Sequence, residues 1–246
     1  MNCKVCKNKI IKNDNDVHVC SSCGHIFRNY NGDHIKYHKE IYRKASNKKQ
    51  QRGQGEINPD GSINKKFHMN RSKIVFEREQ KIKDLLEPEF TILDIGSGAG
   101  TFALALKKYS NKIECLEITK TLIDECERLG FHTYKKDFLE QKFDKTFDLI
   151  TCFHVLEHVE DITGFIDKCH SLSNKYVIFE IPTLKCYFNK VKKTRPLTNP
   201  NVGYYDGHCH YFSLESLKML FHEKFNIVSM TSGIQAPAIL LIGEKK

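Results

Sequence analysis

The sequence predicts an α/β protein: a doubly wound, mostly parallel sheet with one antiparallel strand, preceded by a small metal-binding ribbon. Three observations carry this prediction. Two C-x-x-C pairs open the chain, short apolar strands alternate with helical segments from residue 67 onward, and the first of those strands runs into a glycine-rich turn, "LDIGSGAGTF". With 246 residues, 40% of them apolar, the chain can bury one substantial core and carry a small accessory module.

The ribbon rests on Cys3, Cys6, Cys20 and Cys23, in "CKVC" and "CSSCGH". A C-x-x-C turn presents two thiolates to one tetrahedral ion, so two such turns complete the all-cysteine shell of a structural zinc site. Gly24 supplies the left-handed backbone common at such knuckles, and "VHVC" supplies a short strand leading into the second. His25 is an alternative fourth ligand in place of Cys23, although the all-cysteine shell is preferred. A redox C-x-x-C would normally occur once, within a thioredoxin-like pattern that this sequence lacks. The other six cysteines are scattered and read as ordinary core residues. The N-terminus has lysines but no apolar leader core, and no apolar run approaches the ~18 residues of a membrane span. These features predict a soluble, cytoplasmic protein with reduced thiols and no membrane partner.

Charge is unevenly divided. Residues 1–90 hold 19 Lys and Arg against 11 Asp and Glu, whereas residues 91–246 hold 20 against 19. Much of the basic excess lies in "KYHKEIYRKASNKKQQRGQ", a composition compatible with a polyanion such as RNA and equally with a solvated linker. The predicted division is therefore a ribbon over 1–32, a basic linker over 33–68 and a catalytic-sized α/β domain over 69–246. "RSKIVFEREQKIKDLL" reads as an amphipathic helix with Ile74, Val75, Ile82, Leu85 and Leu86 inward, ended by Pro88. The strands follow as "TILDIG", "KIECLEI", "FHTYKKD", "FDLITCF" and "KYVIFEI", then "NIVSM" and "AILLIG". Only "TSGIQAP" separates the last two, which makes them an antiparallel hairpin.

In the glycine turn, Asp94 ends the strand and Gly96, Gly98 and Gly100 follow it, which lets the backbone approach a ligand beside the free amides of a helix start. Glu117 closes the next strand, where an acid can accept ribose hydroxyls. Together these residues resemble the class I S-adenosylmethionine-dependent methyltransferases over residues 70 to 246. The resemblance implies a Rossmann-like, seven-stranded sheet and S-adenosylmethionine as cofactor. It places Asp94, Gly96, Ser97, Gly98 and Gly100 at the methionine side and Glu117 at the ribose. It also puts Asp137 at the adenine amino group, Phe138 at its ring and Phe153 beside the methyl donor.

"TCFHVLEHVED" contains His154, Glu157 and His158, which converge on one face if the segment is helical. H-x-x-E-H is also a zinc-peptidase signature, but that site needs a long helix and a further ligand, and the strand-end position here excludes it. Ubiquinone-pathway O-methyltransferases and RNA-end methyltransferases resemble this stretch with E-x-x-E-H, which binds a divalent ion in them. His154 in place of their first Glu favours zinc, iron or nickel over magnesium. The plainer reading, in which "LEHV" packs the next helix, is preferred on sequence. Downstream, "GHCHYFS" resembles an H-x-H-x-F-S stretch of methyltransferases acting on glycans and small metabolites. His208 reads as an ordinary surface or core residue. His154 or His210 is the expected general base, with Tyr204, Tyr205 and loop lysines contacting the acceptor.

The expected reaction is methyl transfer to a hydroxyl of a sugar, nucleotide-sugar, glycan or small metabolite. An rRNA or tRNA acceptor is the alternative, since a ribbon followed by a basic linker resembles rRNA guanine methyltransferases. The N-P-P-Y type motif of exocyclic amino methylation is absent after the fourth strand. A non-catalytic binding protein on the same fold is a further alternative, opposed by the intact Asp94, Gly96, Gly98 and Glu117.

Overall fold

The computed structural model describes residues 2–12, 17–28, 58, 60, 62–184, 208–234 and 238–246. Most of the basic linker, Cys186, Tyr204, Tyr205 and the lysines of the loop before His208 lie outside the described residues. Strands β1 (Ile11–Lys12), β2 (Val17–Val19) and β3 (Ile26–Arg28) belong to the ribbon. Helix α1 (Lys65–Ile82) precedes β4 (Ile92–Ile95), α2 (Thr101–Leu106), β5 (Ile113–Leu116), α3 (Lys120–Arg128), β6 (His132–Tyr134) and β7 (Phe147–Phe153). A 3-10 turn at Leu156–His158 leads to α4 (Ile162–Leu172) and β8 (Ser173–Pro182). Strand β9 (His210–Tyr211), α5 (Leu214–Phe221), β10 (Phe225–Ser232) and β11 (Ala238–Lys245) complete the chain.

The large sheet has seven strands in the order β10-β11-β8-β7-β4-β5-β6. Strand β4 pairs in parallel with β5 and β7, and β5 in parallel with β6. Only the β10–β11 hairpin is antiparallel among the registers resolved in this sheet, as the short "TSGIQAP" connection requires. Parallel strands covered on both faces read as continuous apolar runs, and this is why the strands were recognisable. All four residues of β4 are buried, as are Phe147, Leu149, Ile150 and Cys152 of β7 and Val177 to Ile181 of β8. Each fully buried large apolar side chain contributes roughly 1.5–3 kcal/mol.

Two compact units divide the chain. One holds residues 35–153 and 172–177, and the other holds 1–34, 154–171 and 178–246. In the first, Ile82 of α1 is fully buried, and Glu79 on the same helix accepts a hydrogen bond from the Tyr109 hydroxyl at 2.7 Å and an ion pair from Lys108 at 2.7 Å. In the second, the ribbon strands form a four-stranded sheet, β1-β2-β3-β9, whose last strand comes from far along the chain. Ile26 pairs with Tyr211 and Phe27 with His210. Ser213 caps α5 by accepting from the Ser216 amide, while the Ser216 hydroxyl accepts from the Ser213 amide. This capping box fixes where α5 begins.

Candidate active site

In the first unit, the carboxyl ends of β4 and β7 mark the point where strand order reverses, the usual ligand crevice of doubly wound sheets. Asp94 stands in register with Thr151 on β7 and Cys115 on β5. Its Oδ1 accepts a hydrogen bond from the Thr151 hydroxyl at 2.7 Å. Burial pushes its carboxyl up to about 6, against the opposing effects of the Thr151 bond and the Arg78 charge. The chain thus retains an acid where burial works against its charge.

The turn after β4 is held to β5 by the Gly96 and Ser97 amides, both donating to the Leu116 carbonyl at 2.8 and 3.2 Å. Glu117 then closes the turn from the other side. Its Oε2 accepts from the Gly98 amide at 3.0 Å, and its Oε1 accepts from the Ile118 and Thr119 amides, both at 2.8 Å. Three amides therefore fix the orientation of this acid at the end of β5. Gly100, at φ +71°, starts α2, and a Cβ there would lie 3.2 Å from Cys126 Sγ. No other residue fits that position without strain.

The other predicted cofactor residues take three different settings. Asp137 caps its own turn, its Oδ1 accepting from the Leu139 amide at 2.9 Å. Phe138 is buried, its ring 5.9 Å from that of Phe143. Phe153, at the end of β7, packs edge-on against Phe102 at 4.8 Å and lies under the Arg78 guanidinium at 4.4 Å. Arg78 was missed on sequence. Its signal was a cation on the same helical face as Ile74 and Ile82.

In the second unit, the residue after Phe153 is His154, whose φ of +57° is rare for a residue with a side chain. The segment is not the regular helix that would align H-x-x-E-H by itself. A left-handed residue followed by a 3-10 turn brings the groups together instead. His154 Nδ1 is 3.3 Å from Glu157 Oε1, and His154 Nε2 is 3.4 Å from Glu180 Oε1. The His154 amide also donates to the Glu180 carbonyl at 2.9 Å. Both carboxylates are fully buried, while the His154 side chain is 25% exposed. Burial disfavours charge on His154, yet the two carboxylates outweigh it and raise its pKa.

Glu157 is the centre of this group. Neither of its buried carboxylate oxygens accepts a well-formed hydrogen bond among the described residues. Besides His154, Oε1 has His208 Nε2 at 3.8 Å and His158 Nε2 at 4.0 Å. Burial would keep this acid protonated, but contact with His154 and the charges of His158, His154 and His208 hold its pKa down to about 2. Glu157, His158 and His208 each offer a ligand atom, all within 4.8 Å of one another. The His158 and His208 rings meet edge-on at 4.7 Å. Sequence reasoning read His208 as an ordinary residue and missed Glu180, whose signal was an acid inside the apolar run "YVIFEIP".

His210, the other candidate base, lies in β9 and is 1% exposed. Its Nδ1 is 3.0 Å from His25 Nε2, so its partner belongs to the ribbon and no described contact joins it to His154. In the ribbon, the four predicted cysteine sulfurs cluster within 4.8 Å, with Cys3–Cys23 at 3.7 Å and Cys6–Cys20 at 3.4 Å. Lys7 and Gly24 follow the two C-x-x-C pairs at φ +61° and +69°. His25 Nδ1 lies 3.8 Å from Cys3 Sγ. Four soft sulfur donors in such a cluster suit a tetrahedral zinc ion.

A parallel sheet of this order, with an acid-flanked glycine turn at its switch point, defines the class I S-adenosylmethionine-dependent methyltransferases. A family model described as a methyltransferase domain matches residues 43–228, and the chain belongs to that family. Among curated proteins it is similar to a ubiquinone biosynthesis O-methyltransferase of Coxiella burnetii, 32% identical over 88 residues, covering 33% of this chain and 38% of that protein. The mitochondrial ubiquinone biosynthesis O-methyltransferase of Saccharomyces cerevisiae is 30% identical over 112 residues, covering 40% and 35%. The chain thus spans well under half the length of these relatives. Among solved structures, magnesium protoporphyrin IX methyltransferase of Synechocystis with bound S-adenosylmethionine shares the fold at TM-score 0.57 and 13% identity, covering 89% of this chain and all of that one. A Pyrococcus horikoshii protein shares it at TM-score 0.60 and 14% identity, covering 84% and 99%. No described helix is long and apolar enough to cross a membrane.

Proposed function

We propose that the chain transfers a methyl group from S-adenosylmethionine to a hydroxyl of a small hydroxylated acceptor, such as a sugar, nucleotide-sugar, glycan unit or metabolite. The observation that carries this reading is Glu157, a buried carboxylate without a proper hydrogen-bond donor, ringed by three imidazoles directly after β7. Such a group is costly unless it has a ligand to hold. One carboxylate with two imidazoles fits a divalent transition ion better than magnesium. We assign Glu157, His158 and His208 as its ligands; when bound, such an ion lowers the pKa of an acceptor hydroxyl. The O-methyltransferase names of the relatives support oxygen as the acceptor atom.

The glycine turn with Glu117 is assigned to the cofactor, the acid toward the ribose hydroxyls and Asp94 toward the cationic methionine end. Asp137, Phe138 and Phe153 complete this assignment at the adenine and methyl ends. In the transfer, the acceptor oxygen attacks the sulfonium methyl carbon, the carbon–sulfur bond breaks, and S-adenosylhomocysteine leaves with the electron pair. His154 takes the acceptor proton. The ring takes that proton with Glu157 3.3 Å from Nδ1 and Glu180 3.4 Å from Nε2, and the two buried carboxylates stabilise the positive charge it then carries. His210 is assigned to the ribbon contact. The ribbon cysteines are assigned to structural zinc, and the 1–32, 33–68 and 69–246 division is kept as the domain proposal.

Calorimetry with S-adenosylmethionine tests the cofactor half, and an absence of binding at about millimolar concentration would sink it. Glu157→Gln tests the acceptor half. We expect cofactor binding to survive, one metal equivalent to be lost, and transfer to hydroxylated acceptors to fall by roughly 10- to 100-fold. An unchanged metal content would refute the assignment of Glu157. Transfer only to RNA, with affinity falling steeply as salt rises, would replace the small acceptor with the nucleic acid.

A further inference from the structure

The ribbon reaches both segments that supply the cluster around Glu157. Its first knuckle holds the segment that follows Glu157 and His158: Lys4 Nζ donates to the Glu160 carbonyl at 3.0 Å, and the Thr163 hydroxyl donates to the Lys4 carbonyl at 3.4 Å. Its second knuckle holds the segment that carries His208. The Ser213 hydroxyl donates to the Cys23 carbonyl, and β3 pairs with β9 so that Phe27 faces His210. A Cβ at Gly24 would lie 3.3 Å from Ser213 Cβ, so this approach is already at van der Waals limit.

A buried ring pair completes the second path. His25, 3.8 Å from Cys3 Sγ, meets His210 at 3.0 Å, with the two rings nearly parallel at 10°. Phe27 and Phe212 stack on His25 at 5.4 and 5.1 Å. Between His210 and His208, the Cys209 amide donates to the Glu157 carbonyl at 2.9 Å, so the β9 backbone is tied to the acid itself. The two jaws of the ribbon thus grip the two strands of chain whose side chains must meet: Glu157 and His158 from one, His208 from the other.

We propose that the ribbon is a clasp for the second metal site. Closing the four cysteines on one ion draws the two segments together and sets His208 against Glu157 and His158, with His25 and His210 as positioning residues. This rests on the cation-site reading of Glu157, His158 and His208. Because binding free energies are reciprocal, an ion in the cluster must also tighten the ribbon's hold on its own ion by the same factor.

The test uses the full chain and cobalt(II) alone, followed by absorption spectroscopy and calorimetry. Thiolate coordination gives intense charge-transfer bands, and nitrogen–oxygen coordination gives only weak ligand-field bands, so the two sites are read separately. Wild type should bind two ions. Cys3→Ser should weaken the cluster ion tenfold or more, although Cys3 is no part of that site. His210→Phe should keep the thiolate bands and weaken the cluster ion comparably. His210→Asn, whose amide sits where Nδ1 does, should restore it.

In case these variants do not fold, a competition measurement on wild type gives the same answer: saturating the cluster should raise the ribbon's affinity against a chromophoric chelator by the same factor. Two ions with cluster affinity unaffected by Cys3→Ser and His210→Phe, or with no change in the competition, would overturn the clasp and leave the cation site standing. A single ion, bound through thiolate and unaltered in Glu157→Gln, would overturn the cation site and the clasp with it.

Discussion

Replacing Asp94 with Asn should make the cofactor-free protein more stable at neutral pH while weakening cofactor binding. Asp94 is 2% exposed and keeps one hydrogen bond, from Thr151, which an Asn oxygen can still accept. Burial raises its pKa from 3.8 to about 6 in the folded chain. A group with a raised folded pKa contributes its full stability below the unfolded pKa and loses it as pH rises through the folded one. Here that loss runs from about pH 4 to about pH 6 and amounts to two pKa units, or roughly 3 kcal/mol at ~1.4 kcal/mol per unit. Asn carries no charge and escapes the loss, less whatever its new N–H groups cost on burial.

Urea unfolding of both proteins at intervals between about pH 4 and pH 8 measures the difference directly. Other acids titrate alike in the two proteins and cancel. The variant should gain on wild type through this window and level off above it, at an advantage of roughly 1–3 kcal/mol. Calorimetry at neutral pH should show its cofactor dissociation constant raised about tenfold or more, equivalent to ~1.4 kcal/mol. A stability difference that does not vary with pH would refute the argument that burial holds Asp94 near 6.

Other outcomes follow from the same geometry. Gly100→Ala should cost roughly 1–3 kcal/mol in chemical denaturation, because it forces a left-handed residue and a 3.2 Å contact with Cys126 Sγ. Ser213→Ala should cost about 1 kcal/mol by removing the α5 cap, and should also loosen the second knuckle, seen as faster amide exchange at Gly24. His154→Gly should lose methyl transfer and lower the melting temperature, since glycine relieves φ +57° but removes the nearest imidazole from the buried carboxylates of Glu157 and Glu180. An unchanged melting temperature would show that relief of the left-handed backbone offsets the lost imidazole.

The large sheet was legible because its strands are buried on both faces and bounded by turns, so "ILDI" and "FDLITCF" stand out as apolar runs. The glycine turn was legible too, since Asp94, the glycines and Glu117 lie within one strand–turn–helix–strand stretch. The rest depended on distant pairings. Strand β9 has two residues and pairs with β3, which lies some 180 positions earlier, and no local periodicity announces that. His208 gained its neighbours only through that pairing. Glu157 stood out as a possible ligand, yet "LEHV" read as packing for the next helix, because its complete burial beside a left-handed residue at His154 has no signal in the local sequence. The sequence offered His210 as a candidate base but gave no sign of its 3.0 Å contact with His25, which spans 185 positions.

The two knuckles of the ribbon repeat one backbone design. Cys3 N bonds Asn8 O and Lys7 N bonds Cys3 O, and Cys20 N bonds His25 O and Gly24 N bonds Cys20 O in the same pattern. Each pair of sulfurs is therefore shaped by main-chain bonds that need no ion, so the ribbon presents two preformed bidentate claws. Under the proposed zinc assignment, capture of an ion by one claw would make arrival of the other an intramolecular event, governed by effective concentration rather than by free encounter. Affinity in such a device is set less by the sulfurs than by how closely the rest of the fold holds the claws, which places control of the ribbon in the segments around Glu160 and Ser213.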